Sequence, residues 1–314
     1  MIGHVRMAEG VELPENFSPS WEIYHATANG EKGESVTTVY GATMQYNLME
    51  SGNYLIKVTA DMASVEFPAT IDYLRQNSFD ESLEAGLVKL SGYMDGQTPV
   101  ADGSSWELLS GSGSSMTTKY GATTSFLVPA GAYQVALTVG VAKTTEHFTV
   151  GVGQVLDKNL SLGAGGIEVT GYYSEGGDVI PAGLTVELRK FKPGLDGKHE
   201  SITTLYDSPT IFKVLAGSYQ IFILKDYASA AFDVDVKPGQ VVKLSGAINA
   251  GFLAVNAPDG ATIEIRSAAR NISGEYKYVG TEYGVLNKAF PAGKYIVKIT
   301  ETNGELLEIG RAHV

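Results

Sequence analysis

The sequence predicts an all-β protein, a tandem array of immunoglobulin-like antiparallel β-sandwich domains of about 80 residues each. Three observations predict it. Only 18% of the 314 residues are charged and 37 are glycine, whereas an average globular chain carries roughly 25% charged residues and about 7% glycine. That balance suits short strands and tight turns better than helices with charged faces. A set of short anchors recurs four times along the chain, and the interval between two of these anchors is constant. The length also exceeds what one hydrophobic core fills, so several domains are expected.

Each repeat opens on a glycine followed by alternating apolar residues: Ile2-Gly3 with Val5 and Met7, Ala85-Gly86 with Val88 and Leu90, Ala164-Gly165 with Ile167 and Val169, Ala250-Gly251 with Leu253 and Val255. An acidic-Gly dipeptide ends this first strand at Glu9-Gly10, Asp95-Gly96, Glu175-Gly176 and Asp259-Gly260. Such dipeptides are turn signals, because glycine supplies positive φ and a carboxylate can accept nearby N–H groups. A strand with glutamate between apolar residues follows, at Trp21-Glu-Ile23, Trp106-Glu-Leu108, Val186-Glu-Leu188 and Ile263-Glu-Ile265. Period two turns the flanking residues inward and the glutamate outward. A strand rich in β-formers comes next at Thr37–Tyr40, Thr117–Tyr120 and Thr203–Tyr206. A Gly-x-Tyr step then leads into an alternating strand at Gly52/Tyr54, Gly131/Tyr133, Gly217/Tyr219 and Gly293/Tyr295.

From each such tyrosine to the next opening glycine the interval is 32 residues in all three cases (Tyr54 to Gly86, Tyr133 to Gly165, Tyr219 to Gly251). The openings themselves lie 83, 79 and 86 residues apart, so length varies on the other side of the tyrosine. A unit of this size is a domain and not a solenoid repeat. It has room for about seven short strands. The expected domains are residues 1–85, 86–164, 165–250 and a truncated fourth, 251–307. Joins such as Ser161–Gly166 and Ser245–Gly251 run almost directly from one strand into the next, which predicts a semi-rigid rod with limited hinging at glycine.

The 32-residue rule applied to Tyr295 points beyond Val314. The last seven residues, Glu308–Val314, break the pattern and match the in-frame translation of a common sequencing adapter, so they are set aside as an artefact of a metagenomic fragment. The alternative is a natural polar extension.

Net charge is −12, and no local basic cluster exists to hold phosphates, which excludes a nucleic-acid partner. With no cysteine there is no disulfide framework, thiolate metal site or cysteine nucleophile. The N-terminus lacks the basic and apolar regions of a signal peptide, and no apolar run approaches the eighteen or so residues of a membrane helix; the best, Tyr219–Leu224, suits a buried strand.

Together, the glycine opening, the acidic-Gly turn, the φ-Glu-φ strand and the Pro-Ala-Gly-x-Tyr hairpin resemble tandem bacterial immunoglobulin-like or prealbumin-like β-sandwich repeats, over residues 1–307. Such repeats occur in exported proteins of Gram-negative bacteria, sometimes alongside von Willebrand factor A-type domains. The resemblance implies a periplasmic, cell-surface or secreted location. Its motifs are structural and specify fold rather than activity.

No enzyme is predicted. His4, His25, His147, His199 and His313 share no ligand spacing, and Gly111-Ser-Gly113 and Gly151-Val-Gly153 lack the strand-to-helix context of a nucleotide loop. No catalytic, cofactor-binding or metal-ligating residue is assigned, and no cofactor. Trp21 and Trp106 could stack on sugars, but Val186 and Ile263 stand at the equivalent positions, which makes this a core site. The Gly-x-Tyr tyrosines are expected to bury the ring and bond backbone at a hairpin corner. Glu22, Glu107, Glu187 and Glu264 should face solvent or a cross-strand lysine such as Lys57 or Lys298, and Asp233 and Asp235 should point outward. The acidic-Gly turns offer one carboxylate each, where calcium takes six to eight oxygens.

The expectation is therefore a non-enzymatic spacer or interaction segment of an exported bacterial protein. The alternatives are an adhesive or carbohydrate-binding module, with a protein or glycan partner at loops such as Glu12–Pro19 and Lys192–Lys198, or an accessory region of a larger enzyme.

Overall fold

Alternation of apolar and polar residues becomes strand along the whole chain. The computed structural model describes residues 1–314, the side chains of Glu308 and Ile309 excepted, and the described residues hold no helix. Two compact units divide it, Met1–Leu162 and Gly163–Val314.

The first unit opens with β1 (Ile2–Ala8), β2 (Val11–Glu12), β3 (Ser20–Ala26), β4 (Lys32–Tyr40), β5 (Thr43–Gln45), β6 (Gly52–Ala60), β7 (Ala63–Ile71) and β8 (Ser78–Ser82). One sheet runs β4-β3-β6-β7; in the other, β1 pairs with β2, β5 and, in parallel, β8. Inward residues Val5, Met7, Trp21, Ile23, Ile56 and Val58 are fully buried between them. The second set is β9 (Ala85–Tyr93), β10 (Ser105–Ser110), β11 (Ser115–Tyr120), β12 (Thr123–Pro129), β13 (Gly131–Val139), β14 (Ala142–Val150) and β15 (Val155–Ser161). It forms sheets β12-β9-β15 and β11-β10-β13-β14.

In the second unit, β16 (Ala164–Tyr172), β17 (Thr185–Lys190), β18 (Ser201–Tyr206), β19 (Thr210–Leu215), β20 (Gly217–Lys225), β21 (Ala228–Val236) and β22 (Val241–Ala247) repeat this plan as β19-β16-β22 and β18-β17-β20-β21. The last set is β23 (Ala250–Asn256), β24 (Thr262–Arg270), β25 (Tyr276–Tyr283), β26 (Val285–Pro291), β27 (Lys294–Thr300) and β28 (Leu306–His313). Its sheets are β23-β26 and β25-β24-β27-β28. The fold is thus an all-β tandem array of immunoglobulin-like sandwiches.

Close approach explains the opening glycines. A Cβ at Gly3 would lie 2.7 Å from the Trp21 ring, and one at Gly86 or Gly165 would lie 2.6 Å from a backbone carbonyl, of Gly151 and Gln240 respectively. The indoles are core: Trp21 and Trp106 are wholly buried and donate Nε1–H to the carbonyls of Gly41 and Gly121 at 2.9 Å. The four tyrosines make one recurring corner, each hydroxyl donating to the carbonyl four residues back: Tyr54 to Glu50, Tyr133 to Pro129, Tyr219 to Leu215 and Tyr295 to Pro291, at 2.7–3.1 Å. The glycines of all four acidic-Gly turns take positive φ. In one of these turns, Asp95 accepts the N–H groups of Gln97 and Thr98, and those bonds hold its carboxyl below the usual range.

One expectation needs correction. The recurring glutamates do not take the lysines named for them. Glu22 faces Lys57 in register but accepts the Tyr24 hydroxyl, and Glu264 faces Lys298 but pairs with Arg266. A neighbour two positions along the same strand face takes these carboxylates, as Arg189 takes Glu187, whereas Glu107 does pair with a lysine of another strand, Lys143 of β14. In loop Glu12–Pro19, Leu13 and Phe17 are buried in the first core while Glu12, Glu15 and Asn16 stay exposed. The tail set aside above supplies Gly310–His313 to β28, and Val314 exchanges two backbone hydrogen bonds with Gly293.

Replacing Trp106 by alanine should destabilise the first unit by about 3–5 kcal/mol through the cavity and the orphaned Gly121 carbonyl. Urea unfolding of the W106A chain against the parent measures this.

Candidate functional site

The arrangement that recurs outside the cores lies where one sandwich meets the next within a unit. It is built from a two-residue hairpin seven residues after the first three Gly-x-Tyr tyrosines. In β6–β7 the first turn residue is Asp61, at φ +51°, and in β20–β21 it is Asp226, also at φ +51°. Aspartate is among the few L-residues that tolerate this left-handed region.

The carboxylate then serves the neighbouring sandwich. Asp61 Oδ2 accepts the backbone N–H of Leu127 in β12 at 2.9 Å, and the next residue, Met62, donates its N–H to the Leu127 carbonyl at 3.1 Å. In the second unit Asp226 Oδ2 accepts the N–H of Ala289 in β26 at 2.9 Å, and Tyr227 donates to the Ala289 carbonyl at 3.0 Å. Leu127 and Ala289 occupy the same position, four residues before a Gly-x-Tyr glycine. One residue is held by both its backbone N–H and its carbonyl, and the hairpin acts as a clamp. At the equivalent turn of the second repeat stands Gly140, at φ +61°, with no carboxylate.

The joins add a third bond. In Leu83-Glu84 and Ile248-Asn249 the first residue is buried and the second takes φ near +50° (49° and 48°). The carbonyls of Glu84 and Asn249 accept the N–H of Ala130 and Ala292 at 3.2 and 2.9 Å.

Side chains complete the two clamps differently. Lys119 Nζ bonds Asp61 Oδ2 at 2.9 Å and the Ser125 carbonyl at 2.7 Å, and lies 4.7 Å from the Phe126 ring centroid. Leu127 itself is fully buried in the core cluster of the first sandwich. In the second unit Tyr227 stacks on Phe290 with centroids 4.4 Å apart and donates its hydroxyl to Glu282 Oε1 at 2.6 Å. Burial first, then this bond to Glu282, push the Tyr227 hydroxyl up to about 12. Lys288, 2.6 Å from the same oxygen, is the main cause that holds the Glu282 carboxyl below its usual range.

The histidines are not brought together. His4 bridges Glu12 (3.1 Å) and Asp80 (3.3 Å), His25 lies against Tyr54, His199 bonds the Lys190 carbonyl, and His147 and His313 are exposed. Among the described residues no three His, Asp or Glu side chains are placed to share a metal ion. Asp233 and Asp235 point outward. The glycines of Gly111-Ser-Gly113 sit in the β10–β11 turn, and those of Gly151-Val-Gly153 in the turn before β15. An open cleft of about 1,020 Å³ borders the first clamp, yet its one aromatic ring, Phe17, is buried and offers no stacking face. No helix is long and apolar enough to cross a membrane.

Sequence reading passed over Asp61, Asp226, Leu127, Ala289 and Tyr227. A signal was present in the constant seven-residue offset from the tyrosine, where aspartate stands twice and glycine once.

No protein-family model matches the chain, and no curated protein matches it either. Solved structures do. The chain is similar to the Bacillus anthracis TIE protein at 16% identity and TM-score 0.24, covering 95% of this chain and 66% of that one. It is similar to a streptococcal ancillary pilin at 13% identity and TM-score 0.30, covering 74% of this chain and 95% of that one. With the shaft pilin SpaA of Lactobacillus rhamnosus GG it shares 10% identity and a TM-score of 0.28, over 54% of this chain and 99% of that one.

Two predictions follow from the clamps. Asp61→Gly keeps the backbone turn and removes the carboxylate, so the first unit should lose about 1–3 kcal/mol and the Leu127 amide should exchange faster; hydrogen exchange with urea unfolding reads both. Tyr227 is neutral in both states below its ordinary value of about 10. Between there and about 12 the unfolded chain releases a proton that the folded chain keeps, so stability falls as pH rises. The parent should therefore lose stability across this window more steeply than Tyr227→Phe, as paired unfolding curves would measure.

Proposed function

We propose that the chain is a non-enzymatic structural segment of an extracytoplasmic bacterial protein, a spacer that carries another module or contact surface at a distance. The observation that carries this reading is the clamp, in which consecutive sandwiches within a unit are joined by backbone hydrogen bonds, two-residue joins and an aspartate turn. In each unit the polar groups that converge on this turn serve to hold two sandwiches together. On this reading the chain holds four mechanical domains, at residues 1–85, 86–164, 165–250 and 251–307. The extracytoplasmic assignment rests on the resemblance of the repeats to those of exported proteins.

A spacer of this kind meets load one sandwich at a time. Pulled from its ends in single-molecule force spectroscopy, the chain should unfold in separate events. Each complete sandwich should release roughly 28 nm of contour length, from about 80 residues at about 3.5 Å each. A single event releasing the whole chain would overturn the domain reading. The spacer role is tested separately on a glycan and host-protein array, where no repeat should bind; saturable capture through loop Lys192–Lys198 would replace it with an adhesive role.

A further inference from the structure

Hairpin turns at residues 27–31, 110–114, 194–198, 271–275 and 301–305 share one plan. In each, the first residue donates its N–H to the carbonyl of the fifth at 2.7–2.9 Å, and its own carbonyl accepts the N–H of the fourth at 2.9–3.0 Å. The fourth residue is always glycine, with φ between +76° and +89°, where an L side chain is strained. The third residue varies: it is Asn29, Ser112, Asp196, Ser273 or Asn303. Two of these turns therefore carry asparagine directly before glycine.

The two asparagines are not held alike. In each turn the N–H of the fifth residue finds a side-chain oxygen, a local bond that Ser, Thr, Asn and Asp readily make. Where the first residue carries a short oxygen-bearing side chain, that residue serves: Thr27 Oγ1 for Glu31 and Ser110 Oγ for Ser114, both at 3.1 Å, and Asn271 Oδ1 for Glu275 at 2.8 Å. Where the first residue is Gly194 or Glu301, the third takes over, Asp196 Oδ1 for Lys198 at 3.0 Å and Asn303 Oδ1 for Glu305 at 2.7 Å. Asn303 also donates Nδ2 to Glu301 Oε2 at 3.2 Å, so both ends of its amide are tied. Asn29 is relieved of this task by Thr27. Its side chain is exposed and makes no hydrogen bond among the described residues. The following N–H is bonded equally in the two turns, Gly30 to Thr27 and Gly304 to Glu301, each at 2.9 Å. Only the side chain differs.

We propose that Asn29 is a self-modifying site, which Gly30 converts to aspartate and isoaspartate while Asn303 is held back. Asparagine is among the thermolabile residues, and a glycine after it leaves attack on its side chain unhindered. The Gly30 nitrogen bonds to Asn29 Cγ and closes a five-membered succinimide. The Cγ–Nδ2 bond breaks, and ammonia leaves with the proton from the Gly30 nitrogen. Water then opens the ring at either carbonyl, so the net change is asparagine plus water to aspartate or isoaspartate plus ammonia. No oxidant or further reactant enters. The turn accepts the first product, because Asp196 already stands at this place in the third repeat. Isoaspartate adds one atom to the backbone, which the fixed bonds from the first residue to the fourth and fifth do not accommodate. Each converted chain gains a negative charge at the tip of the β3–β4 hairpin, and the reaction marks its age there. The site does not depend on the spacer reading.

The test incubates the folded full chain at mildly alkaline pH and follows each site by peptide mapping. Mass spectrometry reads the exchange of NH for O, and an isoaspartyl methyltransferase counts the isoaspartyl fraction. Asn29 should convert about tenfold or more faster than Asn303, whose two side-chain bonds must break first. In concentrated urea the two rates should converge. Thr27→Ala leaves the Glu31 N–H to Asn29, as Gly194 leaves that of Lys198 to Asp196, and should slow conversion at Asn29 several-fold. Gly30→Ala puts a methyl group beside the attacking nitrogen and should slow it further. Equal rates at Asn29 and Asn303 in the folded chain would overturn the proposal. So would conversion at Asn29 that neither Thr27→Ala nor Gly30→Ala slows.

Discussion

Closure of each complete sandwich hangs on one pairing, the parallel one between the strand that opens a repeat and the strand that ends it. Parallel neighbours cannot be joined by a hairpin, so everything between them must be crossed first. The chain passes to the second sheet, builds it, and returns to lie beside its own beginning. That return also brings it to the place where the next sandwich starts. Only Leu83-Glu84 and Ile248-Asn249 separate closing strand from next opening strand within the two units. A buried apolar side chain and a left-handed residue suffice to turn the chain there.

The same requirement accounts for the constant 32-residue interval. After the Gly-x-Tyr corner come two nine-residue strands joined by a two-residue hairpin, at β6–β7, β13–β14 and β20–β21 alike. Their lengths are locked by mutual pairing, residue for residue, and the closing strand must then reach a fixed register on the opening one. Insertions there would shift side chains to the wrong face. The segments between the opening strand and the tyrosine include surface turns, such as Lys192–Lys198, whose lengthening changes no register. Variation in repeat length gathers on that side.

Legibility of the sequence followed this division. Features that depend on a residue and its near neighbours could be read directly: the alternation that buries Trp21 and Trp106, the acidic-Gly turns, the tyrosine corner with its bond four residues back. Features whose partner lies far along the chain could not. Asp61 and Asp226 look like ordinary turn aspartates, and their second role exists only because Leu127 and Ala289 are brought up from more than sixty residues away. Phe17 sits in a segment rich in turn residues and is core only because the second sandwich's Lys119 and the first core close over it. Gly310–His313 pair beside β27 through backbone groups alone, which every residue carries whatever the origin of the segment.

The two clamps separate what is essential in them from what is interchangeable. Both hold the backbone of a single residue, through its N–H on a carboxylate and its carbonyl on the next backbone N–H. The side chains around that residue are almost exchanged. In the first unit the bulky residue comes from the second sandwich, Leu127 filling the first core, and a lysine neutralises the aspartate. In the second unit the bulk comes from the hairpin, Tyr227 lying over the small Ala289 position and against Phe290, and the lysine is diverted to Glu282, which the tyrosine hydroxyl also needs. A Cβ at Gly280 would lie 2.6 Å from the Tyr227 ring, so that glycine belongs to this second solution. Backbone geometry sets the docking, because only it repeats; the packing residues adapt to whichever side supplies the volume. Exchanging Tyr227 alone for methionine would therefore leave the hydrogen bonds possible but the volume unfilled, and the matching change at Ala289 to leucine is the one the first unit's solution demands.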